Sequence, residues 1–258
     1  MPHNRGFRRV PRAGPGFDEN GADRVKVLTW LLPALLLAAC KGQAVPGTAT
    51  VLTFAEQQPG SAPQRTRMLV NAAYVRIDDG EDGPDFLLFD RRQKVIYTTN
   101  SLDRRILVIK DKPVGRASPI ALEHKIIKDE KTYPPLGGRS VTHYQYLSNG
   151  DRCYDVYVAE GLLPKVVAAL REFRVVLAGE QAAALEIMPK EFYSACDLAN
   201  NIFEPARHLR HGLPIRQRDM TGRTRELVDY KTGVKVDAAL FVLPEGYRRF
   251  TMEQMRGG

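Results

Sequence analysis

Phe86-Leu-Leu-Phe-Asp90, Val95-Ile-Tyr-Thr-Thr-Asn100 and Ile106-Leu-Val-Ile109 follow one another closely along the chain. The loops between them, Asp90-Arg91-Arg92-Gln93 and Asn100-Ser101-Leu102-Asp103, are of hairpin length. Short β-branched and aromatic runs joined in this way predict an antiparallel meander. The charged turns would shield strand edges from pairing with other chains.

The pattern extends in both directions. Upstream lie Thr50-Val-Leu-Thr-Phe-Ala55, the turn Pro59-Gly-Ser-Ala-Pro63, Arg65-Thr-Arg-Met-Leu-Val70, and Tyr74-Val-Arg-Ile-Asp78. In the last of these Tyr74, Arg76 and Asp78 share one face, and Val75 and Ile77 share the other. Downstream come Ile120–Ile127, Thr142–Leu147 and Cys153–Val158, and Asn149-Gly150 between the last two is a two-residue hairpin signal. The acidic turn from Asp78 to Asp85 offers several oxygen ligands. Its spacing is not that of an EF-hand loop, and it lacks the bidentate Glu at the twelfth position, so it reads as a solvated hairpin loop.

From 162 to 212 the period changes. Pro164 suits a first helical turn, and Val166, Leu170, Phe173 and Leu177 recur at spacings of four, three and four, giving one apolar stripe that packs on the sheet. Gly179 is expected to weaken or end this helix, with Gln181–Met188 as a second segment up to Pro189. A further helix over 190–203 would align Phe192, Cys196, Ala199 and Phe203. Strand character returns at 213–220, 224–230 and 234–243, with turns at Thr221-Gly222 and Thr232-Gly233, and the tail 249–258 reads as loose. The fold class expected is α+β: a curved antiparallel sheet or incomplete β-barrel with a helical block on its concave face, forming a single domain over 50–248.

Arg207-His208-Leu209-Arg210-His211-Gly212 is the densest polar cluster. His208 and His211 are spaced to share a helix face as metal ligands. Arg207 and Arg210 would repel a cation, and no acid or Cys stands nearby in sequence, so no metal is expected. The remaining readings are basic groups complementing a helix end or contacting a phosphate or lipid headgroup. Gly-x-Ser-x-Gly, His-Glu-x-x-His and P-loop motifs are absent from the sequence.

Val27-Leu-Thr-Trp-Leu-Leu-Pro-Ala-Leu-Leu-Leu-Ala-Ala39 is an apolar run of 13 residues preceded by Arg24 and Lys26. It is too short to span a bilayer, which takes about 20 residues, but suits a signal-peptide core. Leu37-Ala38-Ala39-Cys40 resembles the lipobox of bacterial lipoproteins. The resemblance implies that residues 1–39 are removed as a signal peptide, whose true start could lie near Val25, and that Cys40 carries diacylglycerol and an acylated amine. Lipid chains at about 0.8 kcal/mol per buried CH₂ make a lasting anchor when more than one is attached. Lys41 in place of Asp implies the outer membrane under the family's sorting rule, and residues 40–49 would be a tether to a periplasm-facing domain.

Removing the leader takes away six Lys/Arg and three acids, leaving 32 basic and 27 acidic residues, a net of +5. That mild excess is no nucleic-acid footprint. Apolar residues at 43% and charged residues at 26% are ordinary for a globular chain. With Cys40 assigned to lipid, Cys153 and Cys196 remain, and in an oxidising compartment they are a natural disulfide; a catalytic thiol is the alternative, without a Cys-x-x-Cys to support it.

The strand pattern of 86–109 resembles an uncharacterised group of bacterial exported proteins. The closing Leu243-Pro-Glu-Gly-Tyr247 is similar to the end of that group and of the LolA/LolB-like lipoprotein carriers. The resemblance implies a half-barrel whose concave face holds acyl chains, although most of the helix here comes in one late block. The function it implies is non-enzymatic: binding an amphiphile or an envelope protein, with the membrane and the lipoprotein-processing and sorting machinery as further partners. A structural or assembly accessory of the envelope is the alternative, and a hydrolase a third.

Overall fold

The structure, a computed structural model, describes residues 47–185, 189 and 192–256. Cys40, the leader and most of the tether lie outside the described residues. Among the described residues twelve strands form one open sheet: β1 Gly47–Gln57, β2 Gln64–Val70, β3 Tyr74–Asp78, β4 Leu87–Asp90, β5 Val95–Asn100, β6 Arg105–Lys110, β7 His124–Lys128, β8 Val141–Ser148, β9 Asp151–Ala159, β10 Leu213–Asp219, β11 Thr224–Val236 and β12 Arg248–Phe250. The order is β12-β6-β5-β4-β3-β2-β1-β11-β10-β9-β8-β7. Two meanders, β1–β6 and β7–β11, are therefore sewn together by the β1–β11 pair.

The sheet is mixed rather than wholly antiparallel, because β12 runs parallel to β6. The expected loose tail thus begins as an edge strand and continues as α3, Met252–Arg256, where Glu253 forms an ion pair with Lys112. The turn expected at Thr232-Gly233 is also replaced. β11 runs straight through it for 13 residues, and Gly233 at φ 66 helps form a bulge in which Thr50 alone faces Thr232 and Gly233. Strand character then stops at Val236, and Ala238–Phe241 is a 3₁₀ turn. Of the run 120–127, only the second half becomes strand. Asn149 and Gly150, at φ 51 and 86, make the expected tight hairpin.

One long helix, α1 (Pro164–Ala184), lies against the sheet. Val166, Leu170 and Phe173 join Leu52, Phe54, Met68, Phe89 and Ile109 in the main core, with Phe173 edge-on to Phe89. Gly179 does not break it. A Cβ there would collide with the Lys112 carbonyl, so the glycine admits the backbone of the β6–β7 connection against the helix. The later helix is much shorter than expected: α2 is Ala195–Leu198, followed by a π turn at Ala199–Phe203. Cys196 and Ala199 are buried as the stripe predicts, but Phe192 lies outside the helix and is exposed.

Candidate functional site

The acidic turn is held by cations of the protein itself. Arg76, buried in β3, donates from Nε to Asp78 Oδ2 at 2.6 Å and from its Nη atoms to the Leu240 and Gly83 carbonyls. Arg67 binds the same carboxylate in a fork at 2.8 Å and also reaches Asp82. Burial alone would raise the pKa of Asp78, but the bonds from Arg67 and Arg76 outweigh it and hold the group below the usual carboxylate range. Asp78 is thus a buried anchor, not the start of a solvated loop.

The Arg-His cluster is divided by the fold. Arg207 and His208 lie in a 3₁₀ turn, Arg207–Leu209, and both are buried. Arg207 is fully engaged: Nε and Nη2 donate to Asn200 Oδ1 at 2.9 and 2.6 Å, and Nη1 to Ser148 Oγ at 2.8 Å. Nη1 also lies 3.1 Å from His124 Nδ1 and 3.3 Å from the Leu147 carbonyl. Every strong acceptor here is neutral, so burial lowers the Arg207 pKa, partly offset by Tyr154 and Glu204. His211 turns away to stack on Tyr144 at 4.2 Å. Burial, and then Arg210, lower its pKa. Arg210 is at the surface, 3.6 Å from Glu204. The two histidines therefore do not share a face toward an ion, and among the described residues no set of three or more His, Cys, Asp or Glu side chains is placed to hold a metal.

Cys153 in β9 and Cys196 in α2 are joined in a disulfide, which staples the short helix to the sheet. Ser148 Oγ lies 3.0 Å from His124 Nδ1, but Ser148 has no exposed surface and its oxygen already receives Arg207. A second imidazole, His143, stands between Asp129 (3.2 Å from Nδ1) and Asp155 on Nε2, stacked on Tyr157. Its two nitrogens face opposite ways, so the two carboxylates cannot close on one ion with it. The Tyr133 hydroxyl donates to Asp129 at 2.6 Å and leads the effects that lower that carboxyl to about 2.

His208 belongs to a different place, a cleft of about 240 Å³ between α1 and the sheet. Its apolar wall includes Phe54, Met68, Ile77, Leu170, Phe173 and Leu213. Three arginines, Arg174, Arg223 and Arg225, line it against two carboxylates, Glu56 and Asp219. Arg174 is occupied by the Pro205 and Asn200 carbonyls at 3.1 and 2.8 Å. Arg223 is held on Asp219 through Nε and Nη2. Desolvation would raise the Asp219 pKa, yet its bonds from Thr221 and Arg223 hold it low.

Arg225 is different. Its guanidinium lies 3.8 Å over the Phe54 ring. Nε stands 3.2 Å from Glu56 Oε1 but without the alignment of a hydrogen bond. The side chain keeps 33% of its surface open, and it lines the cleft. Enclosure lowers its pKa, with Glu56 opposing and Arg174 adding to the effect. Burial, then Arg174, Arg225 and Arg207, hold His208 well below its ordinary value, and its Nδ1 has no hydrogen-bond partner. A neutral imidazole therefore sits beside cations, on an apolar floor.

Sequence reasoning singled out His208 but missed Arg225, Arg174 and Glu56. In Thr224-Arg-Glu-Leu-Val-Asp-Tyr, Leu227 and Val228 are adjacent apolar residues on opposite faces, so alternation alone does not tell which face turns inward. The pairing of Arg225 with Glu56 and of Leu227 with Phe54 decides it.

No family model matches the chain, and no curated protein does. Among solved structures it is similar to an uncharacterised conserved protein from Thermus thermophilus, with 11% identity, 79% of this chain and 90% of that chain covered, and a TM-score of 0.41. It is also similar to PNGF-II in two crystal forms, at 10% and 8% identity and a TM-score of 0.41 each, covering 81% of this chain. The chain spans about a third of PNGF-II, 32% of its length.

Proposed function

We propose that this chain is a non-enzymatic lipoprotein, anchored through Cys40 at the outer membrane and facing the periplasm, that binds an amphiphile in the cleft between α1 and the sheet. The observation that carries the reading is the pairing of an apolar wall with an arginine open to it, Arg225. An apolar recess with a few placed polar groups is what small-ligand sites have in common. The Cys153–Cys196 bridge fits export to an oxidising compartment, and no described helix is long and apolar enough to cross a membrane.

Packing supports the half-barrel form of the reading. The main core cluster holds Ile109 of β6 and Val141 of β8 together with α1. At a strand spacing of about 4.8 Å a flat sheet would put those two strands about 43 Å apart, whereas a helix of this length reaches about 31 Å. A sheet bent around the helix reconciles the two. The cleft itself is small for a site built to hold several acyl chains, since known ligand pockets run from about 300 to 1,000 Å³. A single short chain fits it better than a diacyl lipid. The burial of Ser148 beneath Arg207 favours binding over hydrolysis. The accessory reading has its own support in β7, an edge strand exposed along its whole length with Ile126 and Ile127 on it.

Native mass spectrometry of the acyl-free protein purified from cells tests the reading. A retained hydrophobe of discrete mass is the expected result, and a bare chain under all conditions overturns it.

A further inference from the structure

We propose that the amphiphile has an anionic head, a carboxylate or a phosphate, received by Arg225, and one short chain lying beside Leu170 and Phe173 of α1, cleft-lining side chains that keep some exposed surface. This rests on the amphiphile reading above and adds the head and the single short chain.

Three observations carry it. The first is the state of the arginines. Arg174 is spent on carbonyls and Arg223 on Asp219, while Arg225 has only the misaligned approach of Glu56. A guanidinium is a planar fork of donors that matches a carboxylate or phosphate with two parallel bonds. One left without a hydrogen bond from its buried Nε, partly open and lining the cleft, is poised for such a head. The second is His208. It is 7% exposed, it lines the same cleft, and its Nδ1 is unpartnered. Buried polar groups are otherwise satisfied almost everywhere in folded proteins, and a ligand head would add a partner within this wall. The third is size. The cleft, about 240 Å³, lies below the range of about 300 to 1,000 Å³ usual for ligand pockets, which suits a small head with a single short chain.

The shape of the cleft orders the ligand. Phe54 lies directly under the Arg225 guanidinium, so the apolar wall begins where the cation ends. Leu170 and Phe173 of α1 line the same cleft. Glu56 is the competitor that the ligand's anion displaces, and as a partly exposed side chain near the end of β1 it can swing toward solvent.

The test uses the full-length chain with Cys40→Ser, so that no anchor lipid competes, titrated calorimetrically with octanoate, octyl phosphate and 1-octanol. Both anions are expected to bind at least tenfold more tightly than the alcohol, and the tighter of the two names the head. Hexanoate should bind about fifteenfold more weakly than octanoate, at roughly fourfold per CH₂. Arg225→Gln should weaken octanoate about ten- to a hundredfold, the worth of a hydrogen bond to a charged group, and change octanol less than threefold. Glu56→Gln should tighten octanoate and leave octanol alone, and it carries the test by itself if the Arg225 variant does not fold. Octanol binding as tightly as octanoate, or either variant leaving octanoate unchanged, removes the anionic head while the amphiphile reading stands. No binding by any of the three ligands overturns both.

Discussion

Arg207 and Arg225 are both enclosed cations whose pKa is lowered by burial, yet their surroundings are opposites. Around Arg207, Asn200, Ser148, the Leu147 carbonyl and His124 take up the donors. Around Arg225 there is an aromatic face below, an unaligned carboxylate to one side and open space beyond. The first region ties the turn after α2 to strand β8. The second holds together less and leaves a fork of donors free. Dense polar sequence marks the structural region, while the candidate site is made of residues scattered over the chain from β1 to β11.

Four outcomes sharpen or break that contrast. The largest concerns the bridge that holds α2, and with it Asn200, in place. Cys153→Ala with Cys196→Ala should cost about 4 kcal/mol by the loop-entropy relation, for a sequence separation of 43. A melting temperature lower by about 8–16 °C is then expected, which a thermal melt reads. Arg207→Met comes next, with a loss of about 3 kcal/mol as buried acceptors are stranded. A denaturant titration measures it, and a loss under about 1 kcal/mol would erase the distinction drawn here.

The third is a dependence on pH. His208 titrates at its ordinary value in the unfolded chain, about 6.5, and well below it when folded. A group with a depressed folded pKa leaves the unfolded state binding more protons, so its contribution is complete above the unfolded pKa and is lost as pH falls toward the folded one. Stability should fall below pH 6.5 by up to about 1.4 kcal/mol per pH unit from this residue. His124 and His211, also lowered, act in the same direction. Denaturant midpoints of wild type and His208→Phe between pH 7.5 and 5 should diverge in slope; parallel curves would contradict the buried neutral imidazole. The smallest effect is Arg225→Gln on stability in the absence of ligand, under about 1 kcal/mol, since the side chain has no aligned hydrogen bond from Nε to lose. A loss as large as that of Arg207→Met would mean that Arg225 also serves the fold.

Much of the architecture can be read along the chain. The short runs from Phe86 to Ile109, the Asn149-Gly150 hairpin, the stripe Val166–Leu177 and the pairing of the two late cysteines all act locally or by elimination, and they appear as expected. What escaped reading depends on distant partners. Gly179 looks like a helix breaker until the Lys112 backbone is found packed on it. Thr232-Gly233 looks like a turn until β1 supplies a ladder that absorbs it as a bulge. Residues 248–250 lack the hydrophobic alternation of a strand and gain it only from the free edge of β6. Arg225 is invisible for the same reason, because its setting is made by Glu56 and Phe54, about 170 residues earlier in the chain. The candidate lipidated Cys40, by contrast, rests on local sequence alone.

The most direct test of the central claim, that the cleft beside α1 is a ligand site, is the shift in melting temperature caused by octanoate. Binding to the folded state alone raises stability by RT ln(1 + [L]/Kd). The Cys40→Ser chain should therefore melt higher with increasing octanoate, and the same chain with Leu170→Trp, which puts a larger side chain at a cleft-lining position, should respond less. An equal rise in both chains would place the ligand elsewhere, and no rise in either would contradict the account.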